Sequence, residues 1–190
     1  MHSKALKQSR AKKYEKVMIA TRTAKTCFVY GTLTSQEVLH CLLGRIPPML
    51  PKVVLKKYSR YPVRQQVYPG VIQSTPDAFV EGVLLLDLTE IEVKVLDYFE
   101  DEGVDYKRTN VQVFIDSLHE DTQALLAKSN SNDYEMDSKM FKSQAYIWMK
   151  GSSTLETTKE WNIEDFQKHL EWYLQYTVKP CRDEAEKFIL

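Results

Sequence analysis

The chain has 190 residues, enough for one domain with a sizeable core, and its 43% apolar and 27% charged residues are those of an ordinary globular protein. Twenty-six basic residues stand against 26 acidic ones, so the composition gives no general pull toward nucleic acid or a membrane surface and directs attention to a pocket. No apolar stretch approaches the roughly 20 residues of a membrane span, the first residues lack the apolar run of a secretory signal, and three cysteines without a CxxC pair support neither a disulfide framework nor a zinc site.

Residues 1–26 carry eight Lys or Arg against the single acid Glu15 and read as a basic extension. Arginine is scarce in it, which favours a solvated tail over an organelle transit peptide, and a cytoplasmic setting is the expectation. Cys27-Phe28-Val29-Tyr30 then reads as a buried strand delivering Gly31 and Thr32 to a turn. Thr34 or Ser35 caps the helix that follows, with Thr34 and Glu37 at capping-box spacing, and Val38, Leu39, Leu42 and Leu43 keep helical spacing up to Gly44. Glycine lets a ligand approach the backbone, and a helix N-terminus favours negative charge. Tyr30 to Leu33 is therefore a candidate cradle for a carboxylate or phosphate, although an ordinary strand-to-helix turn has the same signature.

Pro47, Pro48 and Pro51 forbid helix, and Lys52 to Val71 interleaves tyrosines with Lys and Arg. That mixture suits a single-strand nucleic-acid platform, but the balanced charge argues against one, and irregular strands across the mouth of a core fit better. Pro69-Gly70 marks a turn, and Phe79 to Leu88 is the strongest strand, apolar enough for burial on both faces, with Gly82 permitting a bulge or a close approach. Thr89 and Glu92 form a second capping box for a helix with the stripe Ile91, Val95, Leu96, Phe99. Tyr106 to Ile115 alternates as a strand, residues 116–141 are a polar excursion with one helical turn near Ala124 to Lys128, and Ala145 to Met149 is the returning strand. Gly151 to Thr158 is a linker. Asn162 and Asp165 cap a last helix, packed through Ile163, Phe166, Leu170, Tyr173 and Leu174, which ends before Pro180 and leaves the last ten residues frayed. The histidines and cysteines show no ligand spacing, so no metal is expected.

The candidate acid/base is Glu100. It faces the negative end of its helix, and Asp97, Asp101, Glu102 and Asp105 crowd it with like charge; both effects raise a carboxyl pKa. With Tyr98 and Phe99 carrying it into a partly dry pocket, it can exchange a proton near neutral pH; Glu102 competes for the role.

The stretches FVYGTL at Phe28–Leu33, RYPV at Arg60–Val63, YPG at Tyr68–Gly70, VEGVLLLDL at Val80–Leu88, and LDYFE followed by YKR at Leu96–Glu100 and Tyr106–Arg108 occur in this order. Together they resemble the gamma-glutamylcyclotransferase-like superfamily, and within it the plant, defence-related branch of avirulence-induced-gene-2-like (AIG2-like) proteins. The resemblance implies an α+β fold, a small mixed β-barrel with flanking helices, over residues 27–150, with residues 151–190 as a linker and a helix on the core. It implies a catalytic glutamate at Glu100, a substrate held by Tyr30, Gly31, Thr32 and Leu33 with Tyr106 nearby, and release of 5-oxoproline from a γ-glutamyl amino acid or amine without a cofactor. A small-molecule partner and a monomer or weak dimer are expected. Asp101 stands where many members have glycine. The alternatives are a non-catalytic ligand-binding or regulatory protein with the same pocket, and an interaction protein acting through its basic tail.

Overall fold

The computed structural model describes residues 25–115, 134–135 and 139–189; the basic extension up to residue 24 and most of the polar excursion, with its expected helical turn, lie outside them. The elements are β1 (Lys25–Val29), α1 (Gln36–Leu43), β2 (Met49–Lys56), β3 (Tyr58–Pro62), β4 (Pro69–Gln73), β5 (Phe79–Leu88), α2 (Glu90–Phe99), β6 (Tyr106–Ile115), β7 (Tyr134–Glu135), β8 (Met140–Trp148), α3 (Ile163–Gln167), α4 (Leu170–Tyr173), a π-helical turn (Leu174–Val178) and α5 (Lys179–Phe188).

Five strands close on themselves. The order β1-β5-β2-β6-β8 is antiparallel throughout, and a parallel pairing of β8 with β1, Phe28 opposite Ala145, seals the barrel. β7 pairs with the start of β8, and β3 with β4 forms a separate hairpin. The fold is the expected α+β one. Its two hydrophobic clusters follow from the two faces of the sheet. Leu50, Val53, Leu84, Leu86, Val113 and Phe141 fill the interior, whereas Leu85, Leu88, Leu39, Leu42, Leu96 and Phe166 pack between sheet and helices. That is why β5 reads as an unbroken apolar run: both faces are covered. At Gly82 a Cβ would collide with the Val29 carbonyl oxygen, so the expected close approach is that of β5 to β1.

Several boundaries differ from the sequence reading. Pro69 and Gly70 open β4 instead of turning the chain; Gly70 is required because a Cβ there would lie 2.8 Å from Trp148 Cγ. The returning strand begins at Met140, five residues earlier than expected. Gly151–Thr158 is no free linker, because Arg64 N–H donates to Thr154 O and Glu156 N–H to Pro62 O, both at 2.9 Å, and Leu155 is buried. The last helix does not stop before Pro180: the proline stands in the first turn of α5, where its missing N–H costs nothing. The final residues are helical up to Phe188 and docked through Ala185, which is fully buried, and Arg182, which donates to the Leu42 carbonyl at 2.8 Å.

Candidate active site

β1 runs beside β5 until Val29, and the next residue leaves the sheet. The Tyr30 hydroxyl donates to the Tyr146 carbonyl of β8, which anchors the strand end. Gly31 follows; a Cβ there would lie 2.8 Å from both Cγ and Cδ of Pro69, so only glycine fits against the ring. Thr32–Thr34 make one 3₁₀ turn closed by Thr34 N–H to Gly31 O at 2.9 Å and Ser35 N–H to Thr32 O at 3.1 Å. Of the two candidate caps, Ser35 is the one used: its Oγ accepts from Val38 N–H at 3.3 Å and donates to Glu37 at 2.7 Å, which overturns the Thr34–Glu37 capping box.

The second wall comes from α2. Its capping box forms as spaced, with Glu92 N–H to Thr89 Oγ1 at 3.1 Å and Thr89 N–H to Glu92 Oε2 at 2.7 Å, and Arg45 also holds Glu92 at 2.8 Å. The apolar stripe uses Val93, Val95, Leu96 and Phe99; Ile91 is exposed. At the other end Glu100 caps the helix, its N–H on Leu96 O at 2.9 Å, and Asp101 has φ of +51°. A left-handed residue there is the physical reason glycine suits position 101, and aspartate is among the few others that tolerate it. Phe99 enters the cavity wall edge-on to Tyr173, with ring centroids 6.4 Å apart, while Tyr98 turns away to Glu184.

The two walls enclose a cavity of about 220 Å³, and Tyr30, Gly31, Thr32, Leu33, Glu100 and Tyr106 all line it. Tyr106 presents its ring, since its hydroxyl is committed to Pro69 O at 2.8 Å. Burial pushes the Glu100 carboxyl up to about 8. The direction is the expected one, but the cause is desolvation and not the neighbouring acids. Asp97 is neutralised by Arg108 at 2.7 Å and bonded by the Tyr146 hydroxyl at 2.8 Å, and Asp105 pairs with Lys150. Glu102 is exposed and outside the cavity lining, so it is no competitor. Among the described residues no group of His, Cys, Asp and Glu forms a metal site.

The family model described as "Gamma-glutamyl cyclotransferase, AIG2-like" matches residues 27–168. The chain belongs to this family. It is 32% identical to AIG2-like protein D of Arabidopsis thaliana over 84% of this chain and 91% of that one. Among solved structures it resembles a solution structure of another Arabidopsis thaliana protein (TM-score 0.54, 22% identity, 90% of this chain and 97% of that one). It also resembles a yeast gamma-glutamyl cyclotransferase specific to glutathione (TM-score 0.50, 12% identity, 87% and 97%). At these identities the structures share the fold.

The cavity is also lined by residues the sequence reading missed: Tyr68, Tyr146, Asp105, Tyr173 and Thr177. The last two lie beyond the residues the family model matches. Tyr173 was legible only as a core residue of the last helix, and it is buried against Phe166 with centroids 5.2 Å apart. The π-helical turn that follows, a local widening often found at functional sites, brings Thr177 to the same wall.

Proposed function

We propose that this AIG2-like protein is a γ-glutamyl cyclotransferase that converts a small γ-glutamyl amino acid or amine into 5-oxoproline and the free amine, with Glu100 as general acid and base. The observation that carries the reading is the Glu100 carboxyl, without a partner among the described residues and pushed up by burial to about 8, lining the same small cavity as the Gly31 turn.

The chemistry asks little of the protein. In a γ-glutamyl compound the α-amine and γ-carbonyl belong to one molecule, so closing the five-membered ring needs orientation more than a protein nucleophile. Glu100 as carboxylate takes a proton from the α-ammonium; the freed nitrogen lone pair attacks the γ-carbonyl carbon. Glu100 gives its proton to the leaving nitrogen as the tetrahedral intermediate collapses and that C–N bond breaks, and the ring nitrogen's second proton passes to the regenerated Glu100 carboxylate and from there to the released amine or solvent. A base near 8 suits both transfers at neutral pH. Thr34 and Ser35 N–H groups are spent inside the turn, so the backbone of Gly31 to Leu33 is the part left to meet the substrate α-carboxylate or the oxyanion. A cavity of about 220 Å³ lies below the roughly 300–1,000 Å³ of drug-sized pockets and suits a compact substrate.

The test is mass detection of 5-oxoproline across a panel of γ-glutamyl amino acids and amines. Wild type should release it from at least one, and Glu100→Gln, which keeps shape but not the base, should be slower by ~10²-fold or more. An undiminished rate in the variant removes Glu100 from the reaction. Binding without turnover across the whole panel makes the protein a ligand-binding member of the fold.

A further inference from the structure

Among the described residues the cavity lining contains three acidic side chains, Glu100, Asp101 and Asp105, and neither Lys nor Arg, so a substrate bearing an α-carboxylate meets no cation in that part of the wall. The compensating charge stands one layer back. Arg60 of β3, from the RYPV stretch, lies mostly buried behind the turn; its Nη1 donates to Tyr30 O at 2.7 Å and reaches Glu81 O at 3.4 Å. Its guanidinium lies 5.3 Å from the Trp161 ring. Its carboxylate neighbour Glu160 is 3.8 Å away on an exposed side chain, and its Nε is buried with no partner among the described residues. Such a cation is costly to bury, and burial lowers its pKa.

What the contact accomplishes follows from peptide geometry. Val29 is the last β1 residue paired with β5, so at Tyr30 the guanidinium takes the place of the missing β5 partner. A trans peptide points its C=O and the following N–H in opposite directions. With Tyr30 O held by Arg60, the Gly31 N–H points to the opposite side of that peptide, away from the guanidinium, and Gly31 itself lines the cavity. Gly31 is buried, and its N–H has no acceptor among the described residues. Buried N–H groups are seldom left unpaired, which marks this one as a donor reserved for a ligand.

We propose that Arg60 is a positioning residue: by holding the Tyr30 carbonyl it aims the Gly31 N–H at the α-carboxylate of the substrate and polarises that peptide with the positive charge the lining lacks. The inference rests on the γ-glutamyl reading of the site and is tested with ligands that need no turnover. 5-Oxoproline carries the carboxylate, and 2-pyrrolidinone is the same ring without it. NMR titration of wild type, Arg60→Met and Arg60→Lys should find 5-oxoproline bound more tightly than 2-pyrrolidinone by wild type. Arg60→Met should lose that preference by about tenfold or more with 2-pyrrolidinone unchanged, and Arg60→Lys should restore part of it. The Gly31 amide shift should respond to 5-oxoproline in wild type and much less in Arg60→Met. Equal weakening for both ligands means Arg60 only supports the fold and overturns the proposal; so does a preference that survives in Arg60→Met. If wild type binds neither ring, the γ-glutamyl reading itself fails and takes this inference with it, an outcome distinct from the other two.

Discussion

Asp97 and Glu100 stand three residues apart near the C-terminus of α2, yet Arg108 binds the first at 2.7 Å while no donor or cation among the described residues meets the second. The consequence is a division of labour between two acids of one helix end. Asp97 is bonded into the scaffold by Arg108 and the Tyr146 hydroxyl, and Glu100 carries the shifted proton equilibrium. The stability of the protein should report that difference. A carboxyl raised from its ordinary value to about 8 binds its proton more tightly in the folded than in the unfolded chain. Its contribution is therefore full below about pH 4.5 and is lost as pH rises to about 8. Glu100→Gln removes the dependence. The variant should match wild type near pH 4.5 and exceed it progressively up to pH 8, by about 1–3 kcal/mol once discounted for solvent, or several degrees in Tm. Parallel Tm-against-pH curves would exclude a buried, raised carboxyl at this position.

The rate should follow the same group. If the ionised carboxylate accepts the substrate proton, log kcat/KM rises with unit slope below about pH 8 and levels near it. Glu102→Gln should leave both the limb and the rate within about twofold, because Glu102 is exposed and does not line the cavity. A profile shifted by Glu102→Gln and unmoved by Glu100→Gln would exchange the two roles.

The Asp97–Arg108 pair gives a different result. Both side chains are more than two-thirds covered, and the same Asp97 oxygen also accepts from the Tyr146 hydroxyl at 2.8 Å. Arg108→Met would strand the carboxylate against one neutral donor, at a cost of about 1–3 kcal/mol in urea unfolding. Asp97→Asn together with Arg108→Met should recover part of that loss, since the unpaired charge goes with it. A single-variant loss under about 0.5 kcal/mol would mean water replaces the guanidinium without penalty.

Where local rules govern, the sequence was readable. β5, the Thr89–Glu92 box and the Gly44 end of α1 follow from apolar runs, capping spacing and a positive φ of 76°. Local rules failed where one pattern serves two structures. Pro180 reads as a stop after one helix or as the first turn of the next, and only the burial of Ala185 and the Arg182–Leu42 contact decide. Pro69-Gly70 reads as a turn or a strand start, decided by the Trp148 ring. The closure of β1 on β8 joins residues more than a hundred positions apart, which no periodicity encodes. The site was legible through the order of its motifs for Tyr30 to Leu33, Glu100 and Tyr106. Tyr68 stood in the YPG motif without being given a place in the site, and Tyr146, Tyr173 and Thr177 carried no signal beyond being aromatic or polar. The direction of the Glu100 shift was inferred from the helix end and the neighbouring acids, although Asp97 and Asp105 are paired with Arg108 and Lys150 and desolvation supplies the shift.

Gly31 separates shape from conformation. Its φ of −125° lies outside the left-handed region, so alanine there meets no penalty of that kind; the obstacle is the Pro69 ring, 2.8 Å from the added Cβ. Pro69 in turn holds Tyr106 through its carbonyl, so pushing the ring away disturbs two walls of the cavity together. Gly31→Ala should cost about 1–3 kcal/mol of stability, the usual range for overpacking, and weaken 5-oxoproline binding by tenfold or more. Pro69→Ala removes the ring atoms that collide and leaves the carbonyl in place. Adding it to Gly31→Ala should therefore recover most of the binding, a coupling that two independent defects would not produce. The measurement is a double-mutant cycle in ligand affinity and Tm. Additive losses in both would show that Gly31 is needed for a reason other than room beside Pro69.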